Sequence, residues 1–176
     1  MHAQDRQQHT PPETPSEDLG PHEPERLAGY AAVAAVYLLA AGATATAVHR
    51  RRADEAAAPA TQWSDVALVG LATYKLSRLL SKQTVTSPLR APFAEFVGHG
   101  GPGEVNVRPV GRGWRRSIGE LVSCPFCLDV WIASAGTAAL RLTPGPARLA
   151  LSAFAAVGAA DLLQFVHVSL EHQAEQ

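Results

Sequence analysis

The stretch Ala28–Val48 constrains this chain most: it runs for 21 residues without a charge. At about 1.5 Å per residue, a helix of that length spans a hydrocarbon layer roughly 30 Å thick. Further apolar segments follow it. Ala147–Leu170 is similarly long, interrupted by Arg148, Asp161 and His167. Pro125–Leu142 would reach about 27 Å as a helix, enough to cross when its end residues snorkel. Gln62–Leu80 is the doubtful one, because it carries Asp65, Lys75 and Arg78. The mean hydropathy of the whole chain is close to zero, but that average mixes these blocks with polar tails. The expected fold is all-α: an integral membrane helical bundle with four transmembrane helices, and three as the alternative.

The polar segments set the boundaries. Residues 1–27 hold five prolines, six acids and two arginines. Such a segment buries too little apolar surface to offset its ordering entropy, so a disordered acidic tail is expected. Its charge is also wrong for the basic n-region of a cleaved signal peptide, and Arg50-Arg51-Arg52 reads as a stop-transfer flank. The first membrane helix, 28–48, is therefore expected to stay uncleaved. A short polar connection (49–61) leads to the second helix, 62–80, which spans the membrane or lies on its surface. Residues 81–123 form a long basic loop whose Pro88, Pro92, Pro102, Pro109 and Gly98–Gly103 cluster break any long helix. The third helix, 124–142, is opened by a Cys-Pro-Phe-Cys motif, and Thr143-Pro144-Gly145-Pro146 turns the chain into a fourth, 147–170. The helices are rich in Ala, Gly, Ser and Thr, which let backbones approach closely in lipid.

Flanking charge orients the bundle. The 81–123 loop contains Lys82, Arg90, Arg108, Arg112, Arg115 and Arg116, which points it to the cytoplasm. With four spans both termini are cytoplasmic and eight basic residues lie inside against five outside. With three spans the N-terminus is external and the count is 11 against four. The charge rule thus prefers three. The helical wheel of 62–80 prefers four, since its polar residues scatter rather than forming an interfacial face. In the four-span arrangement Lys75 and Asp161 reach similar depth and can meet as an intramembrane ion pair. Both arrangements place the loop and the cysteines on the cytoplasmic side of a multi-pass membrane protein.

Lys75-Leu76-Ser77-Arg78, Val85-Thr86-Ser87-Pro88-Leu89-Arg90-Ala91-Pro92-Phe93 and Ile118-Gly119-Glu120-Leu121 precede Cys124-Pro125-Phe126-Cys127 and Trp131. In this order they resemble the small bacterial membrane proteins of domain of unknown function family 1360, which includes a Bacillus sporulation protein. The resemblance covers roughly residues 63–168. It implies a bacterial membrane protein and no established catalytic activity. It also leads one to expect a small residue where Asp129 stands, and more acids where Asn106 and Val107 stand.

The chemistry on offer is narrow. With Pro125 at the first helical position, Cys124 becomes the N-cap and Cys127 the third residue, so both sulfurs share one face. The helix N-terminus favours thiolates there, with help from Arg115 and Arg116. Three readings follow. Two chains, or one chain and a histidine such as His99, complete a zinc site of which Cys124 and Cys127 supply half. Alternatively the pair is a redox dithiol, although the second cysteine pair used by membrane thiol oxidases is missing. The third reading is that both thiols are small packing groups. In the loop, Arg90 is expected to pair with Glu95 or Glu120, ordering it over the helices. The six cations either bind anionic headgroups, at about 1 kcal/mol each, or merely set topology. Lys75 and Asp161 form a structural pair or an ion relay.

The sequence lacks a phosphate-binding glycine loop, a hydrolase triad and a nucleic-acid-binding motif, so no nucleic-acid partner is expected. The expected partners are the lipid bilayer and a second copy of the chain. The leading expectation is a non-enzymatic structural or interaction protein. A thiol-disulfide oxidoreductase using Cys124 and Cys127 is the alternative, and a small transporter using Asp161 is the weaker one.

Overall fold

In a computed structural model of the chain, residues 23–54, 62–101 and 103–174 are described. Six helices and one hairpin follow in order: α1 (Glu23–Asp54), α2 (Trp63–Ser81), a 3-10 turn (Thr84–Thr86), α3 (Ser87–Arg90), β1 (Ala94–His99), β2 (Val105–Pro109), α4 (Trp114–Ser123), α5 (Pro125–Leu142) and α6 (Pro144–Ala174). Most of the expected acidic tail, residues 1–22, lies outside the described residues. Residues 23–27 belong to α1, which also continues through the three arginines to Asp54 instead of ending at Val48. Nothing in 49–54 stops a helix, since arginine and alanine are both good helix formers.

The core is built around α2. Val69 and Ala72 are buried with Leu151 and Ala155 of α6, flanked by Ala133 and Leu140 of α5. Small residues bring the backbones together. A Cβ on Gly158 would meet the Leu71 carbonyl oxygen at 2.7 Å, and one on Gly136 would meet Leu151 at 3.4 Å. Contacts run the length of the α2–α6 pair, from Asp65–Arg148 (2.6 Å) to Lys75–Asp161 (2.8 Å). Thus α2 and α6 run parallel, and the short Thr143 turn sets α5 antiparallel to both. Helix α1 is attached more loosely, through Tyr30–Glu120 at one end, Tyr37–Ser134 (2.8 Å) midway and Arg51–Leu142 O (2.7 Å) at the other.

Among the described residues, two helices are long and apolar enough to cross a membrane, α1 (through Leu27–Arg51) and α6; a third qualifies only if α4 and α5, bent by 85°, count as one span. Four spans are not supported. Helix α2 carries three charges, and α5 by itself has only 18 residues, with Asp129 and Arg141 among them. One face of α2 packs against α5 and α6 through Val69 and Ala72, while Trp63 and Val66 are exposed. The all-α expectation also needs correction, since β1 and β2 form an antiparallel hairpin. Val105-Asn106-Val107-Arg108 alternates inward and outward along β2, the period of a half-buried strand. The glycine cluster is the hairpin's turn, where Gly103 takes φ +73°, a conformation glycine adopts without strain.

Candidate functional site

Residues 82–124 fold into a head that caps one end of the bundle. The local chemistry begins at the last turn of α2, where carbonyls lack helical partners. Arg90, only 2% exposed, donates to Leu80 O (2.6 Å), Gln83 O (3.0 Å) and Thr86 Oγ1 (3.1 Å). Thr86 Oγ1 in turn donates to Leu79 O. A guanidinium supplies five donors in a rigid fork, which suits it to gathering several carbonyls at a helix C-terminus. Burial pushes this guanidinium down from its ordinary value, yet arginine stays protonated. The expected pairing of Arg90 with Glu95 or Glu120 is therefore wrong: Glu95 holds Arg108, and Glu120 is engaged by Arg116 (3.1 Å) and Tyr30. The segment expected to be extended is instead helical through Arg90, whose side chain folds back onto the end of α2, and residues 91–93 are a turn.

A second set of contacts fixes the hairpin. Arg78, from the last turn of α2, pairs with Glu104, and Val105 N donates to Lys82 O at 2.8 Å. Helix α4 then packs across the hairpin: a Cβ on Gly119 would lie 2.4 Å from Phe93 O. The head is thus an ordered unit clamped to α2 and contains six basic residues, Lys82, Arg90, Arg108, Arg112, Arg115 and Arg116, against the acids Glu95, Glu104 and Glu120. Val85, Leu89, Phe96, Val97 and Trp114 are exposed on it.

At the α4–α5 bend Cys124 is the N-cap of α5, its Sγ accepting the Cys127 backbone N–H at 3.4 Å, and Pro125 opens the helix. Both thiols are free, Cys124 partly buried and Cys127 exposed. The two cysteines are close together, but the basic residues expected beside them are engaged elsewhere: Arg115 donates to Pro92 O (2.8 Å) and Arg116 to Glu120. His99 sits at the end of β1, edge-on to Phe96. No group of three or more metal-ligating side chains occurs among the described residues.

Inside the bundle Lys75 Nζ lies 2.8 Å from Asp161 Oδ2, with Lys75 the more enclosed of the two. Arg78 also lies over the rings of Tyr74 and Phe165. All three charges of α2 are thus matched by another element. Sequence reasoning missed two of the three partners: Glu104 sits in what read as loop, and Arg148 stands 83 residues from Asp65. Asp129, which stands where the resemblance led one to expect a small residue, has its Oδ1 buried without a hydrogen-bond partner. A groove of about 620 Å³ between α1 and α5 is lined mainly by small residues below the Tyr37–Trp131 edge contact.

Together these features define a helical protein with two or three candidate membrane spans and a folded basic head at one end. More particularly, the chain belongs to the family described as protein of unknown function, DUF1360, which matches residues 68–167. That range covers α2 from its second turn through most of α6 and leaves α1 outside. A curated relative, the sporulation protein YjcA of Bacillus subtilis (strain 168), is 32% identical over 102 residues, 56% of this chain and 86% of the relative. No solved structure matches.

Proposed function

We propose that this chain is a non-enzymatic bacterial membrane protein that displays its head at the cytoplasmic face as a structural or interaction surface. The observation that carries the reading is the clamp. Arg90, Thr86 and the Arg78–Glu104 pair fix residues 82–110 to α2, and α4 packs on that segment through Gly119 and Arg115, so the five cations other than the buried Arg90 and several exposed apolar side chains are held in place. A topogenic loop needs only its charge; holding it rigid with exposed apolar groups suits recognition. The cytoplasmic assignment follows from the excess of Lys and Arg at the head end. Similarity to a sporulation protein makes sporulation the first process in which to seek a phenotype.

The test is complementation of a deletion strain with variants that accumulate normally in the membrane. The Cys124→Ser/Cys127→Ser and Asp161→Asn proteins should restore function, and an Arg108→Glu/Arg112→Glu protein should not. Loss with the cysteine variant would transfer the function to the thiols, and loss with Asp161→Asn to the ion pair and a transport role.

The thiol pair supports one addition. Cys124 and Cys127 offer two ligands on one exposed helical turn, half of a tetrahedral zinc site, and a second copy of the chain would supply the rest. Protein purified without chelator should carry about one zinc per two chains. A metal-free oligomer that persists in the Cys124→Ser/Cys127→Ser variant would eliminate this site.

A further inference from the structure

Helix α4 meets α5 at 85°, which invites a choice between a broken membrane span and something else. Three independent features decide it. The first is direction. Helix α5 runs alongside the apolar α6, so α4 lies nearly perpendicular to the bundle axis, in the plane a membrane surface would take. The second is depth. The uncharged run of α1 begins directly after Arg26, and Gly29 and Tyr30, near its start, are residues that touch α4. A Cβ on Gly29 would collide with Ser117 Oγ, and Tyr30 donates to Glu120. Helix α4 therefore sits level with the point where α1 enters the hydrocarbon. The third is the distribution of side chains. Ser117 and Gly119 pack inward, whereas Trp114 at the start of α4 is 62% exposed and Phe126, just past its end, is 80% exposed. Aromatic residues at headgroup level mark a membrane interface.

We infer that α4 lies flat in the headgroup layer at the head end, as an amphipathic anchor, and that the surface it docks on is an anionic lipid leaflet. Charge complementarity selects the lipid. Arg112 and Arg115 flank Trp114, and Arg112 and Lys82 make no ion pair among the described residues. Basic residues beside an apolar helical face favour acidic headgroups over zwitterionic ones. The inference rests on the membrane reading above and adds the lipid class and the element that meets it. It also implies that α4 and α5 are not one broken span: α4 stays at the surface while α5 departs from it.

The test uses the full chain in vesicles of phosphatidylcholine alone or with phosphatidylglycerol, containing lipids brominated at shallow or deep acyl positions. Tryptophan emission of the parent protein minus that of a Trp114→Phe variant isolates Trp114, with Trp63 and Trp131 left in place. The expected result is shallow quenching of Trp114 at least twofold stronger than deep quenching, and stronger with phosphatidylglycerol than without. Deep quenching in preference to shallow would restore the broken span and overturn the inference. Equal quenching in the two lipids would overturn the anionic surface. An unquenched Trp114 would mean that the head faces water and its apolar groups serve a protein. The corresponding Trp131→Phe difference separates these failures from failure of the membrane reading, since Trp131 on α5 is quenched by deep labels only if the bundle is embedded. A second variant, Arg112→Glu/Arg115→Glu, should abolish the lipid dependence without changing the Trp131 signal.

Discussion

Removing one member of the Lys75–Asp161 pair should destabilise the bundle far more than removing both. Lys75 Nζ lies 2.8 Å from Asp161 Oδ2, and the two side chains are 11% and 28% exposed. Deleting either partner of an enclosed ion pair leaves the other desolvated and uncompensated, at a cost of about 3–5 kcal/mol. The lower end applies here, about 3 kcal/mol, because Asp161 retains over a quarter of its surface. That corresponds to roughly a 100-fold fall in the folded-to-unfolded ratio. Replacing both by apolar residues of similar size removes the unpaired charge, so Lys75→Met/Asp161→Leu should lie within about 1 kcal/mol of the parent. The assay is a double-mutant cycle on the purified protein in detergent, with helicity followed through denaturant titration, using Lys75→Met, Asp161→Leu and the combination. A coupling energy of at least about 2 kcal/mol is expected. Single variants that each cost under about 0.5 kcal/mol, or a double variant whose loss equals their sum, would refute the reasoning.

Three further outcomes follow from the packing. Arg90→Ala removes the hydrogen bonds to Leu80 O at the end of α2 and to Gln83 O and Thr86 Oγ1 just beyond it, and should cost about 3 kcal/mol, seen as faster protease cleavage within 82–112. Arg90→Lys should fail to restore protection, because an ammonium cannot reproduce the planar fork. Gly158→Val places side-chain atoms against the Leu71 backbone and should cost about 1–3 kcal/mol or more in thermal unfolding, whereas Gly42→Ala, with open space around it, should be neutral or slightly stabilising. Zinc stripped by chelator from the purified protein should dissociate the metal-linked oligomer in size-exclusion chromatography, and zinc added back should restore it.

What the sequence made legible was set by period and punctuation. The uncharged run 28–48 is a local signal and lies within the longer α1, and the Thr143–Pro146 signal marks the break between α5 and α6, although α6 already begins at Pro144. The Cys-Pro pair likewise marked the start of α5. The span count was not legible in the same way. Four apolar segments suggested four crossings, yet among the described residues only α1 and α6 are long and apolar enough alone. The head was read as loop because five residues of strand alternation, Val105–Pro109, were outweighed by surrounding glycines and prolines. Arg90 was assigned a carboxylate partner by charge logic, whereas its partners are two backbone carbonyls, which leave no mark in a sequence, and nearby hydroxyls. Lys75 and Asp161 could be placed at similar depth from sequence, but the partners of Asp65 and Arg78 depend on how α6 and the hairpin fold back.

The orientation proposed above puts the head and its thiols in the cytoplasm, on a membrane-embedded bundle. Labelling with a membrane-impermeant thiol reagent, in intact and in permeabilised cells, with and without prior reduction, tests it most directly. Cys127 is exposed and free, so the account predicts labelling only after permeabilisation and without any need for reductant. Labelling of intact cells after reduction would place an oxidised pair outside, reverse the orientation and favour thiol-disulfide chemistry over a structural role.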